Sequence, residues 1–116
     1  MENVLNGTTK RQHLDQTGEM ELVVEMVGGE PYEYYPLGDY VVRAVGVCGG
    51  RPTFKYTRID VDFILSQIAH GYTVEYLVNA YSESKLTKEA ITEAMMLAIN
   101  AFRTHYQIPL PIVEIA

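Results

Sequence analysis

The chain has 116 residues, 47% of them apolar, and this size predicts one small domain with or without arms. Residues 1–40 carry two Lys/Arg against eight Asp/Glu, whereas residues 41–116 carry seven of each, so the net charge of −6 belongs to the first third of the chain. This distribution excludes a uniformly basic nucleic-acid-binding protein. The lone Cys48 excludes an intrachain disulfide and a thiolate zinc cluster. Without a signal-peptide pattern or an apolar run of about 20 residues, we expect a cytoplasmic protein with no membrane contact.

The first half of the chain predicts a flexible tail followed by strands. Residues 1–19 are polar and are expected to form the tail. Residues 20–27 (MELVVEMV) and 40–47 (YVVRAVGV) are rich in β-branched side chains and predict two antiparallel strands. The segment between them contains Pro and Gly and is predicted to be their connection. Residues 20–47 are therefore expected to be a β-strand extension. A third extended run follows at residues 53–59, so a β-hairpin or small antiparallel sheet is expected to precede the helices.

The second half predicts three helices, because the hydrophobic period changes to about 3.6 at Asp60. Asp60, Thr73 and Thr87 are the predicted N-caps, and Gly71 ends the first helix. The third helix is the longest and is expected to reach residues 102–105. The fold class is therefore α+β, with a trihelical, helix-turn-helix-like core (homeodomain-like or winged-helix-like) over residues 48–106. Residues 107–116 are expected to form an extended apolar tail.

The second half of the third helix, AMMLAINAF, is apolar on nearly every side and must be covered. Either the strands of residues 20–47 or a second subunit packs over it. The apolar tail, from the same chain or exchanged between protomers, is a further candidate. We predict a homodimer on this ground. The candidate interface residues are Met95, Met96, Leu97, Ile99 and Phe102.

Residues 49–61, GGRPTFKYTRIDV, are followed by a helix ending in Gly71, the segment 73–81, and LTKEAI at 86–91. Over about residues 48–102 the chain resembles the domain-of-unknown-function family 433, whose pattern here is roughly Gly-Gly-x-Pro-x-Ile-x-Gly-Thr-Arg-Ile-x-Val. The resemblance implies a small prokaryotic protein with a helix-turn-helix-like core, and some members look like antitoxin partners of PIN-type ribonuclease toxins. The matching residues are Gly49, Gly50, Pro52, Thr57, Arg58, Ile59 and Val61, with Phe54 in place of Ile.

Two positions depart from the family pattern. Tyr56 stands where the family usually has Gly, the residue that adopts a positive φ without strain. Ser82 stands where Pro often follows the last Tyr of the second helix, and the loop after it looks longer than usual.

Four cations and no acid occupy residues 41–58, which makes a basic ribbon a candidate contact for DNA phosphates. The third helix would then enter a groove, although Glu89 and Glu93 near its start would repel phosphate. The alternative is structural, with Arg58 satisfying carbonyl groups at helix ends and Thr57 anchoring the turn. The DNA-contact candidates are Arg43, Arg51, Lys55, Arg58, Lys88 and Thr92.

Four tyrosines lie among acidic residues before position 41 and are candidates for binding a protein partner, because Tyr is common in interfaces. Such an acidic, aromatic arm could cover the basic groove of a toxin or another RNA-binding protein. The alternative is a Tyr-lined strand edge packed on the domain's own helices. The candidates are Tyr32, Tyr34, Tyr35 and Tyr40.

No residue pattern predicts catalysis, a metal or a cofactor. His13, His70 and His105 have no spacing that gives Cys48 a base or builds a metal site. We therefore expect a non-enzymatic regulatory or interaction protein, most specifically an antitoxin-like homodimer whose partner is a toxin-like ribonuclease. The alternatives are a DNA-binding repressor and a purely structural oligomer.

Overall fold

A computed structural model describes residues 20–107 and Leu110, so most of both predicted tails lies outside the described residues. The α+β fold class is confirmed: a four-stranded antiparallel sheet precedes three helices. The strands are β1 (Val23–Val27), β2 (Glu30–Pro36), β3 (Val41–Ala44) and β4 (Pro52–Phe54). The helices are α1 (Val61–Ala69), α2 (Val74–Ala80) and α3 (Lys88–His105), and short 3-10 turns span Cys48–Gly50 and Ser82–Ser84.

The sheet order is β1-β2-β3-β4, which corrects the predicted pairing of the strands. The segment predicted as a connection forms β2, and β1 pairs with β2 rather than with residues 40–47. Gly28 and Gly29, with φ of +59° and +84°, form the two-residue turn between them. Pro31 fits into β2 because it lies opposite Met26 next to this turn, at a pair that exchanges no backbone hydrogen bonds.

All three predicted helix starts are confirmed, and each cap residue accepts a hydrogen bond from a backbone N–H in the first turn. Asp60 accepts from Asp62 at 2.9 Å. Thr73 accepts from Tyr76 at 3.0 Å, and Thr87 accepts from Ala90 at 3.1 Å. These bonds satisfy N–H groups that have no partner within the helix, which is why Ser, Thr and Asp mark helix starts so well.

β3 joins two apolar clusters because its neighbouring residues are buried on opposite faces of the sheet. Val41 and its strand partner Phe54 belong to the cluster built with the helices, and Val42 belongs to a cluster within the sheet. The helical cluster comprises Val41, Phe54, Val61, Ile64, Leu77, Leu86, Ala90, Ile91 and Ala94. The sheet cluster comprises Val23, Tyr34, Val42 and Ala44. The sheet therefore continues across residue 47, where the sequence placed a boundary.

α3 is buried at its start and exposed at its end. Ala90, Ile91 and Ala94 are buried, and α3 packs against α1, α2 and β3. From residue 98 to residue 107 every side chain is exposed. The chain itself therefore covers only the start of the apolar half: Ala94 is buried and Met95 and Leu97 pack partly against the helical cluster, whereas the described strands leave residues 98–105 uncovered. Residues 98–105 are called the projecting end of α3.

Candidate functional site

Two of the candidate DNA-contact arginines are bonded within the chain, beside the Gly49-Gly50 turn. The Arg43 Nε–H donates to the Gly50 carbonyl oxygen at 2.6 Å. The Arg51 Nε–H donates to Asp60 Oδ2 at 2.8 Å, and this bond raises the pKa of the Arg51 guanidinium above its usual value. Both arginines thus hold the connection between the sheet and α1, which favours the structural interpretation of these two cations.

Lys55 is also occupied, because its side chain turns toward the sheet rather than to solvent. Its Nζ lies 3.5 Å from Glu25 Oε2, and its side chain is 20% exposed. The same Nζ lies 4.9 Å from the ring centre of Tyr34 and 5.1 Å from that of Tyr56. A cation held by a buried carboxylate and two aromatic rings would have to give up these contacts to bind a phosphate.

The remaining DNA-contact candidates, Arg58, Lys88 and Thr92, are exposed. Within the described residues, no ion pair involves Arg58 or Lys88. The structure therefore does not assemble all six candidates into one solvent-facing ribbon. Arg43, Arg51 and Lys55 each bond or pair within the fold, although the side chains of Arg43 and Arg51 stay exposed.

Glu93 has a role that the sequence did not reveal. Its carboxylate accepts three backbone N–H bonds from the β2–β3 turn: Asp39 at 2.8 Å, Tyr40 at 2.7 Å and Val41 at 2.9 Å. A Cβ built on Gly38 would lie 2.3 Å from Glu93 Oε2, so this approach requires Gly. Glu93 joins α3 to the sheet and does not face a groove beside Glu89. No signal in the sequence connects these two distant segments.

The four candidate tyrosines do not form one surface. Tyr34 is fully buried and donates its hydroxyl to Glu25, so its prediction as a partner-binding residue is wrong. Tyr32 is half-buried, and its ring lies 5.1 Å from that of Tyr34. Tyr35 and Tyr40 are exposed, the first on a strand and the second in the β2–β3 turn. Alternation along β2 explains the split, because successive side chains point to opposite faces.

Tyr56 joins Tyr32, Tyr34, Glu25 and Lys55 in what we call the aromatic cluster. Its hydroxyl donates to Glu25 Oε1 at 2.7 Å, and its N–H donates to the Tyr32 hydroxyl at 2.9 Å. Burial, followed by the hydrogen bond to Glu25, raises the pKa of Tyr56 well above its usual value. Burial also raises the pKa of Tyr32. The aromatic cluster therefore attaches the segment after β4 to the far side of the sheet.

Tyr56 has a φ of +67°, so it keeps the left-handed conformation that the family pattern assigns to Gly. It is the third residue of a turn in which the Thr57 N–H donates to the Phe54 carbonyl at 3.0 Å. The Thr57 hydroxyl donates to the same carbonyl at 2.7 Å and accepts the Ile59 N–H at 3.0 Å. Thr57 therefore anchors this turn as predicted.

The sequence model of the family described as protein of unknown function (DUF433) matches residues 41–98. The chain belongs to the DUF433 family. The matched segment contains β3, β4, α1, α2 and the buried part of α3, whereas β1 and β2 precede it. No curated protein and no solved structure matches the chain.

Most of the DUF433 motif has a visible structural task. Gly49 and Gly50 have φ of +64° and +81°, and they make the turn that Arg43 and Arg51 flank. Thr57 closes the next turn. The side chain of Arg58 stands apart from these contacts and is exposed.

The exposed apolar side chains of the described residues include two groups, one on α3 and one on the sheet. The first is the projecting end of α3 with the turn before it, where Met96, Ile99 and Phe102 are exposed. The second is the outer sheet face, defined as the side of β1 to β3 that carries Leu22, Val24, Met26, Tyr35 and Val45. A groove of about 400 Å³ lies there, lined by Met20, Tyr35, Arg43, Ala44, Val45 and Gly50.

Chemistry-bearing groups are sparse in the part of the DUF433 chain that the structure describes. Within residues 20–107, no group of three or more His, Cys, Asp or Glu is placed to hold a metal ion. None of the described helices is long and apolar enough to cross a membrane.

Proposed function

We propose that this DUF433 protein is a non-catalytic, homodimeric interaction protein, and specifically an antitoxin-like partner of a PIN-type ribonuclease. The projecting end of α3 carries this proposal. Phe102 is 64% exposed, and Ile99, three residues earlier in the same helix, is exposed as well. Large apolar side chains exposed on one helix face are typical of a surface that another molecule covers.

The homodimer forms through the end of α3, where the exposed Met96, Ile99 and Phe102 pack against the same helix of a second copy. The other two predicted interface residues, Met95 and Leu97, are partly buried against the chain's own core. Self-association of one helix face is the usual geometry of a twofold dimer. The Phe102→Glu variant should be monomeric by multi-angle light scattering while the wild-type chain is dimeric at micromolar concentration. Thr104→Glu, an exposed position on the same helix, is the matched control. A monomeric wild-type chain would contradict the homodimer.

The ribonuclease partner is supported by the acidity of the strand region. Residues 20–40 contain five Asp/Glu and no Lys/Arg, and Tyr35 and Tyr40 are exposed among them. An acidic, aromatic surface complements the basic groove with which a nuclease holds RNA. The residues carrying this contact are Tyr35 and Tyr40, with Tyr32 at the margin.

Co-expression with the product of the neighbouring open reading frame tests this partner. The proposal expects that product to be a PIN-type nuclease that co-purifies with the chain and loses activity in the complex. Tyr35→Ala together with Tyr40→Ala should weaken the complex at least about tenfold, whereas Tyr72→Ala in the α1–α2 turn should not. A neighbour that is no nuclease, with no complex formed, would refute the antitoxin assignment.

A second candidate function, DNA binding by the helix-turn-helix core, is favoured by the orientation of Glu93. The Glu93 carboxylate is bonded to the β2–β3 turn. Beside the exposed Lys88 and Thr92, the start of α3 therefore has one fewer negative charge that would repel DNA phosphates. Arg58→Glu and Lys88→Glu should each weaken binding to a fragment of the protein's own promoter and lower its salt dependence. Arg103→Glu, at the other end of α3, is the control. No mobility shift at low salt would exclude this function.

A further inference from the structure

β1 is an edge strand, and the register shows which of its backbone groups face outward. Val27 and Glu30 flank the two-residue turn, so Val27, Glu25 and Val23 exchange hydrogen bonds with β2. The N–H and C=O groups of Val24 and Met26 therefore point away from β2. Within residues 20–107, β1 pairs only with β2.

The outward-facing residues of β1 also carry exposed apolar side chains. Val24 is 47% exposed and Met26 is 57% exposed, and Leu22 continues the same row. β1 has neither Pro nor Lys, the residues that commonly protect an edge strand from pairing. Both its backbone and its side chains are thus suited to accept another extended segment.

The residues after α3 have a sequence that complements this edge. Ile108, Leu110 and Ile112 alternate with Pro109 and Pro111. In an extended chain the first three direct their N–H and C=O groups to one edge, and the two prolines lie on the other edge, where a missing N–H costs no bond. Their apolar side chains share one face.

We propose that residues 108–112 of a second copy add to β1 as a fifth, antiparallel strand. Ile108 pairs with Met26, Leu110 with Val24, and Ile112 with Leu22. In this register the N–H and C=O groups of each of these residues point toward the opposite strand. The paired side chains lie on the same side of the sheet, and the added residues extend the outer sheet face. Pro109 and Pro111 then face outward and stop further strands from adding.

The exposure of Leu110 and of the residues at the end of α3 is the reason for assigning the added strand to a second copy. Leu110 is 87% exposed, so it is not packed on its own sheet within the single chain. The residues leading to it, from 98 to 107, are all exposed on a helix that extends past the core. This pairing rests on the homodimer proposed above, because association through α3 would bring the tail of one copy near the other.

Amide hydrogen exchange tests the pairing directly. We expect the Val24 and Met26 amides to exchange at least about tenfold more slowly in the full chain than in a variant ending at Gln107. A synthetic peptide of residues 106–116 added to that shortened variant should restore the protection in a saturable manner. Equal exchange at both amides in the two chains, with no effect of the peptide, would overturn the pairing.

Proline substitutions provide matched controls within the peptide. Leu110→Pro removes an N–H that faces β1 and should abolish protection. Pro111→Ala adds an N–H that faces away and should leave protection intact. The reverse result would show that the peptide binds in another register and would overturn the proposed one.

The monomeric Phe102→Glu variant separates this pairing from the α3 interface. If the tail is exchanged between copies, the Val24 and Met26 amides of this monomeric variant should lack protection, and the added peptide should restore it. Protection that persists in a monomer would overturn the exchange. A wild-type monomer in light scattering refutes the homodimer and the exchange, whereas failure of the peptide alone refutes only the strand pairing.

Discussion

Glu93 shows how one side chain can join two parts of a fold that are distant in sequence. Its carboxylate accepts three backbone N–H bonds from residues 39–41, and Gly38 provides the space. Hydrogen bonds to a charged acceptor are stronger than those between neutral groups. The contact fixes α3 against the end of β2 and the start of β3, where the sheet meets the helices.

Glu93→Gln should lower the free energy of unfolding by about 1–3 kcal/mol, because a neutral amide has one acceptor oxygen for three donors. Urea unfolding followed by circular dichroism measures this loss. Glu83→Gln, in the exposed α2–α3 loop, should change the stability by less than about 0.5 kcal/mol. Equal stability of the Glu93→Gln and wild-type chains would contradict the role assigned to the carboxylate.

The aromatic cluster predicts how stability depends on pH. Burial raises the pKa of Tyr56 and Tyr32 above their ordinary value of 10.0, and Glu25 adds to both effects. The folded chain therefore keeps protons that the unfolded chain releases near pH 10. Stability from these groups is fully present below pH 10 and falls as the pH rises toward their folded values.

Urea unfolding between pH 8 and pH 11.5 should show this decline in the wild-type chain. The Tyr56→Phe variant should be less stable at pH 8, because it lacks a donor to Glu25, but should decline less steeply above pH 10. Tyr76→Phe, on the exposed surface of α2, should follow the wild-type slope. A Tyr56→Phe slope identical to that of the wild type would be inconsistent with the proposed proton linkage.

At the scale of elements, the β1–β2 hairpin depends on its two-glycine turn. Gly28 has a φ of +59°, and a Cβ built there meets no atom within 4 Å, so conformation alone limits what can replace it. Turns of two residues need such left-handed conformations to match the twist of the strands. The sequence pattern predicts that this Gly-Gly pair ends a strand before a connection, whereas the pair leads directly into the next strand.

Gly28→Val should destabilise the chain by about 1–2 kcal/mol, because a β-branched residue is strained in the left-handed region. Gly28→Asn should stay within about 0.5 kcal/mol of the wild type, because Asn tolerates that region. Thermal unfolding of both variants measures the difference. Similar melting temperatures for Asn and Val at this position would contradict a left-handed turn.

At the scale of the whole molecule, residues 41–98, which match the family model, do not form a complete hydrophobic core by themselves. β3 is buried on both faces, and its Val42 and Ala44 pack with Tyr34 and Val23 from the strands before the segment. The amides bonded by Glu93 also begin at Asp39, outside residues 41–98. β1 and β2 are therefore part of the hydrophobic core and not a separate addition to it.

A fragment of residues 41–107 should therefore fold poorly, whereas a fragment of residues 20–107 should fold cooperatively. The missing strands would expose the sheet cluster, whose burial stabilises the fold by about 25 cal/mol per Å² of apolar area. Amide dispersion in NMR spectra and cooperativity in urea distinguish the two fragments. A stable, well-dispersed 41–107 fragment would show that the helices alone suffice.

Local rules accounted for much of what the sequence predicted. The three caps at Asp60, Thr73 and Thr87 and the periodicity after them are local signals, since each acts within one or two helical turns. The motif at residues 49–61 likewise predicted the family from a short stretch of sequence. The strand pairing was not, because EPYEYYP combines turn-forming Pro with strand-forming Tyr, and the pattern alone does not decide between them.

The sequence by itself determined the α+β class, the three helices with their starts, the family and the apolar excess of α3. Tertiary structure alone decided that Glu93 turns inward, that Tyr34 is buried, that Lys55 is held by Glu25, and that residues 98–107 extend past the core. The physical reason is the separation in sequence between the residues that interact. Capping and periodicity depend on neighbours a few positions away, whereas burial and charge pairing depend on segments that meet only when the chain has folded.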